Sequence, residues 1–142
     1  MSDPGALRLS AELTEAIVDH ARAELPNEAC GLLAGTVATG LAHAFHPARN
    51  AHPSPYRYSL DPDDLVRITF AIERAGDELL AIVHSHPRTE PEPSPTDRRA
   101  AALYPRTPQV IVGLEDDGDA TPRLRAWRIG AGDDEEIAVR IG

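Results

Sequence analysis

At 142 residues, 42% of them hydrophobic, the chain is long enough for one domain, spanning 1–142, around one real core. The formal charge of -9, from 23 acidic and 14 basic residues, repels phosphate backbones and argues against a general nucleic-acid face; every basic residue is arginine, so no lysine amine exists for Schiff-base chemistry. No apolar run approaches the roughly 20 residues of a membrane span, the MSDPGALRLS start has no leader pattern, and the single Cys30 forbids an internal disulfide, so a soluble, cytoplasmic protein is expected.

In SAELTEAIVDHARAELP and the leucine before it, Leu9, Leu13, Ile17 and Ala21 recur every four residues, which predicts a first helix capped by Ser10 and stopped by Pro26. His20 lies at the edge of that stripe and reads as a histidine without chemistry. EACGLLAG is a short apolar run without helical period, expected to be a buried strand from Glu28 to a turn at Gly35. LAHAFHPARN reads as a second strand, followed by a loop rich in Pro and Asn through residue 55. Residues 61–76 carry a full set of helix signals. Asp61 can cap, Pro62 takes the first helical position, Asp64 answers three residues on, Leu65, Ile68, Ile72 and Ala75 form the stripe, and Gly76 ends it.

LLAIVHSH is apolar on both faces, the mark of a strand covered on each side, with Leu80, Ile82, His84 and His86 sharing one face. Ser94 and Pro95 open a short third helix reaching about Tyr104. Strands are expected around QVIVG, RLRAWRI and EIAVRI. The acidic runs between them, EDDGD and GDDEE, read as solvated turns, since the spaced oxygens of a calcium loop are missing. Cys30, inside an apolar strand, reads as a small buried residue; His43, His46 and His52 read as surface residues.

The chemistry concentrates in HSHPRTEPEPSPTD, residues 84–97. Histidines two apart on a strand point the same way, so His84 and His86 can reach one metal ion. Asp97 lies one helical turn from Ser94, and a loop folding back over the strand end would make it a third ligand. Three protein ligands leave a fourth tetrahedral position for water, as in catalytic rather than structural zinc sites. Each half also has a plainer explanation. S-P-T-D is a helix capping box, and H-S-H alone can be a histidine pair without a metal.

The combination resembles the JAMM metallopeptidases, also called the MPN-plus or Jab1/MPN domain, whose signature is a glutamate followed later by H-x-H-P, six residues, and S-x-x-D. His84, Ser85, His86 and Pro87, the six residues 88–93, then Ser94 and Asp97 match it. PNEACGLLAG looks like the family's glutamate-bearing strand, and NAHPSPYRYSLDPDDL is similar to the loop and helix start of its small bacterial members. The resemblance covers roughly residues 7–130. It implies an α/β fold, a single-domain curved mixed β-sheet flanked by helices, of the deaminase-like kind; the zinc deaminases themselves are excluded because P-C-x-x-C is absent.

The resemblance further implies that His84, His86 and Asp97 ligate Zn2+, Glu28 is the acid/base, and Ser94 donates to an oxyanion. Zinc acidifies bound water to a pKa of about 7, a glutamate can carry its proton to a departing amine, and a hydroxyl can hold the developing charge. Without the resemblance, Glu28 is one glutamate among many. The implied substrate is the amide following the C-terminal Gly-Gly of a ubiquitin-like protein. Compact bacterial members resemble a hydrolase that frees cysteine from a ubiquitin-like sulfur-carrier protein. A broader isopeptidase or precursor processor, and a non-catalytic MPN-type scaffold, are the other readings.

Overall fold

The computed structural model describes residues 5–114, 122–130 and 133–142. In chain order these form β1 (Leu7–Leu9), α1 (Ala11–Ala23), β2 (Cys30–Thr36), β3 (Leu41–Ala48), α2 (Pro62–Arg74) and β4 (Glu78–His86). Then come α3 (Pro95–Ala101), β5 (Gln109–Gly113), β6 (Arg123–Ile129), β7 (Asp134–Ile137) and β8 (Val139–Ile141). No helix among the described residues is long and apolar enough to cross a membrane.

The strands make one mixed sheet ordered β7-β6-β5-β4-β2-β3-β1-β8. β1 runs parallel to β3 and β8, and β4 runs parallel to β5; the remaining pairs are antiparallel. β7 and β8 stand at opposite ends of that order, yet Ala138 alone separates them in the chain. The sheet therefore curls until its edges meet, nearly a barrel, which removes the unpaired edges an open sheet would expose.

Side-chain alternation along β2 and β4 splits the interior into two layers. On one side α1 lays Ile17 and Ala21 against Leu33, Ala81, Val83, Val110 and Val112. On the other, α2 lays Ile68 and Ile72 against Cys30, Leu32, Ala34 and Ile82. Burial of each large aliphatic side chain contributes roughly 1.5–3 kcal/mol, so both helices are held by packing as well as by their caps. Those caps form as anticipated: Ser10 Oγ accepts from Leu13 N at 3.1 Å, and the Asp61 carboxylate accepts from Asp64 N at 3.1 Å. Gly76 follows α2 at φ 74°, a conformation that suits glycine.

Several expectations are corrected. Leu9 is not on the helix stripe: Leu-Arg-Leu is a strand with Leu7 and Leu9 buried, and α1 begins after Ser10. Leu80 does not share a face with Ile82, because the β2–β4 register shifts between Leu33 and Ala34, pairing them with Ala81 and Leu79. The bulge turns Leu80 toward the α1 layer and Leu79 toward the α2 layer, while His84 and His86, beyond it, keep the α2 face. Ala75 leaves the α2 stripe as an exposed C-cap. α3 stops at Ala101, short of Tyr104. EIAVRI is two strands rather than one, and Asp134 to Glu136 of GDDEE are strand residues paired with β6 rather than a turn. EDDGD lies outside the described residues.

Candidate metal centre

The antiparallel register of β2 and β4 pairs Cys30 with His84. Two residues back and two residues on, Glu28 comes opposite His86 on the same face. Glu28 precedes the strand proper and is held by its backbone instead. Its N–H donates to Ser54 O at 2.8 Å, and Asn50 Nδ2 donates to its carbonyl at 3.1 Å. Next to it, Ala29 N donates to Ser85 Oγ at 2.8 Å and Ser85 N donates to Ala29 O at 3.1 Å. Ser85, facing away from the two histidines that flank it, thus ties the glutamate segment to the end of β4.

The loop after His86 returns Asp97 on the first turn of α3. Ser94 and Asp97 do form a reciprocal capping box: Asp97 N donates to Ser94 Oγ at 3.1 Å, and Ser94 N donates to Asp97 Oδ2 at 3.0 Å. The cap and the site are therefore one construction. Holding the carboxylate at the helix start also aims it at the histidines. Asp97 Oδ2 is 3.0 Å from His86 Nε2, and Oδ1 is 3.2 Å from His84 Nε2. Glu28, His84, His86 and Asp97 each offer a ligand atom, all four within 4.8 Å of one another, and all four residues are buried.

Donor chemistry tests whether this group fits a cation. His86 Nδ1 donates to Glu90 O at 2.8 Å, which leaves Nε2 as a lone pair facing a carboxylate oxygen. Two acceptors stand 3.0 Å apart only with a proton or a cation to reconcile them. His84 is 1% exposed, yet neither ring nitrogen has a hydrogen bond; its approach to Asp97 Oδ1 is close but out of line. Glu28 Oε1 is a third buried atom without a partner. Orphaned nitrogen and oxygen atoms of this kind are costly unless something binds them. Ligands at about 2.0–2.1 Å around a tetrahedral zinc lie about 3.3 Å apart, close to the observed separations. The residues fit a metal ion.

The electrostatics point the same way. Burial pushes the Glu28 carboxyl up to about 8, with Asp97 adding to the rise and His86 opposing it. Burial alone would raise Asp97 too, but His84, His86 and the Ser94 N–H outweigh it and hold that carboxyl well below the usual range. Burial works against a charged His86, yet its bonds to Asp97 and the Glu90 carbonyl raise it overall. Adjacent carboxyls driven in opposite directions are the pattern of an acid/base site.

Residue reading alone passed over several contributors. Tyr58 stacks on His84 with ring centroids 4.6 Å apart, and its hydroxyl donates to Gln109 Oε1 at 3.3 Å. Asn50 is a hub, donating to Glu28 O and Arg57 O and accepting from His52 N and Ser59 N. Its position two residues after β3 gave no local signal. Ser85 could have been found from its place between two inward histidines. Cys30 is buried as anticipated, and burial together with nearby carboxylates pushes its thiol up to about 12. His20 does more than sit at an edge, since its Nε2 donates to Cys30 O at 3.0 Å and joins α1 to the start of β2.

A curled mixed sheet with a buried His, His, Asp and Glu group at the meeting of β2, β4 and α3 defines a hydrolase of the JAMM type. The chain belongs to the family described as prokaryotic homologs of the JAB domain, which matches residues 10–130. It is 37% identical over 135 residues to the CysO-cysteine peptidase of Mycobacterium tuberculosis, covering 95% of this chain and 90% of that one. It is 42% identical over 101 residues to the desampylase of Haloferax volcanii, covering 68% of this chain and 73% of that one. The solution structure of protein DSY2949 from Desulfitobacterium hafniense superposes with a TM-score of 0.86 at 29% identity, over 96% of this chain and 92% of that one.

Proposed function

We propose that this chain is a zinc peptidase that hydrolyses the amide after the C-terminal Gly-Gly of a ubiquitin-like sulfur-carrier protein and releases cysteine, in the cytoplasm, as a step of cysteine synthesis. The observation that carries the reading is the buried group of Glu28, His84, His86 and Asp97. Near end-to-end similarity to a CysO-cysteine peptidase supports the substrate.

In this reading His84, His86 and Asp97 hold the zinc ion. When bound, zinc supplies Lewis acidity and brings water within reach of deprotonation near neutral pH. Glu28 accepts that water proton at its carboxylate and passes it to the departing amine. Ser94 Oγ spends a lone pair on Asp97 N, leaving its own hydrogen to donate to the developing oxyanion. Glu90 O keeps His86 in the tautomer whose Nε2 can ligate.

The desampylase similarity supports a second reading, cleavage of lysine-linked conjugates of a ubiquitin-like modifier by the same site. One experiment separates the two. Zinc-loaded protein is incubated with a carrier–cysteine adduct and with a lysine-linked conjugate, and masses are followed over time. Free cysteine and a shortened carrier are expected from the first; cleavage of the second alone would replace the cysteine reading, and two intact substrates would refute both.

A further inference from the structure

The loop from Pro87 to Pro93 supplies the carbonyl that holds His86, yet its own position is set elsewhere. Parallel pairing puts His86 beside Gly113 of β5, and Gly113 is paired in turn with Arg123 of β6. The loop therefore crosses β5 and comes to rest against one face of β6, where Arg123, Arg125 and Trp127 alternate outward. Each of them engages it. Trp127 Nε1 donates to Pro91 O at 3.0 Å, Arg125 Nη1 meets Glu92 Oε1 at 3.1 Å, and Arg123 pairs with the Glu90 carboxylate.

The anchor is buried at its centre. Pro91 is fully buried and lies flat on Gly113, where an added Cβ would come 2.7 Å from Pro91 Cδ. Arg125 stacks 4.7 Å above the Trp127 ring and is fixed by two 2.8 Å bonds to Glu136, so β7 braces the indole from outside. Exposed ion pairs at the rim contribute little by themselves; the indole N–H and the buried proline contact set the height of the loop.

We propose that Trp127, seated between Arg125 and Pro91, is a positioning residue for the metal centre: it fixes the loop so that the Glu90 carbonyl stays on Nδ1 of His86 and Nε2 stays directed at the ion. The inference rests on the metal assignment above and extends it to β6, far in sequence from the histidine it serves. Loss of such outer support typically weakens metal binding about 10–100-fold.

The test uses Trp127→Phe, which keeps a stacked ring and deletes the N–H, and Gly113→Ala, which pushes Pro91 off β5 without touching β6. Zinc affinity is measured by competition with a chromophoric chelator, the visible spectrum of the cobalt(II)-loaded protein is recorded, and Tm is taken on zinc-free samples. Both variants should bind zinc at least about tenfold more weakly with altered cobalt bands, while zinc-free Trp127→Phe melts close to wild type. Wild-type affinity and spectrum in Trp127→Phe would overturn the proposal, whatever Gly113→Ala does, and leave the metal centre standing. Failure of the wild-type protein itself to bind zinc would overturn the metal assignment and this inference with it.

Discussion

Glu28 shows how much a residue's meaning depends on what it faces. Its immediate neighbours in sequence mark it only as the polar start of an apolar run, and selecting it required the family likeness. The antiparallel register then brings it opposite His86, and burial leaves one of its oxygens without a partner. His84 and His86 were legible because alternation on a strand is local, and Asp97 because a capping box is local. Glu28→Gln keeps size and the backbone bonds, so it should bind zinc as wild type does while turnover falls about 10²–10⁴-fold. Asp97→Ala should lose zinc binding and turnover together, and loosen the start of α3 through the lost Ser94 N–H bond to its carboxylate. Metal analysis beside a single-turnover assay distinguishes the two outcomes; full activity in Glu28→Gln would remove it from proton transfer.

At the scale of elements, the three helices were readable from their caps and stripes, whereas strand boundaries were not. The stripe alone predicts Leu9 on α1 where the structure has β1, because a leucine at i−4 looks the same whether it ends a strand or starts a helix. Leu80 leaves the face that plain alternation predicts because a bulge is decided between two strands rather than within one. α2 illustrates a tertiary tie that local reading misassigned. Asp64 does not return to its own cap but accepts from Arg49 N at 2.8 Å, and Arg49 and Arg67 side chains close on it. The Arg49 backbone N–H, then its guanidinium, and further Arg67 hold the Asp64 carboxyl down at about 2 against an ordinary 3.8. A carboxyl depressed on folding contributes stability that is complete above its unfolded value and is lost as pH falls through the folded one. Asp64→Asn should therefore lower Tm by a constant amount at neutral pH, with the gap to wild type closing between pH 4 and pH 2. A gap independent of pH over that range would show that Asp64 is not bound as a carboxylate.

For the molecule as a whole, the two ends of the sheet do different work. β1 and β8, both short, complete the curl through parallel pairing, and β6 and β7 at the other end support the loop that orients His86. A ligand that binds only the folded state adds to its stability in proportion to the logarithm of its excess. Zinc at about 100 times its Kd should add about 2.7 kcal/mol, raising Tm by on the order of 5–10 °C for a chain of this length. A strong chelator should reverse the rise, and magnesium should not reproduce it, since histidine nitrogens suit zinc better. An unchanged Tm on zinc addition would speak against three ligands drawn from β4 and α3.

Features that act over a few contiguous residues are legible in the chain before it folds. Helix caps, the alternation that points His84 and His86 the same way, the turn that places Asp97 beside Ser94, and a charge unsuited to nucleic acid all act over a few residues or over composition. Features that need two distant segments at once come into being with the fold. These are the bulge that turns Leu80, the pairing that sets Glu28 against His86, the Asn50 hub behind that glutamate, the stacking of Tyr58, and the reach of β6 to the metal-facing loop. Dihedral preferences and hydrophobic periodicity are written into contiguous residues, whereas register, burial and orphaned polar atoms exist only between surfaces that folding brings together.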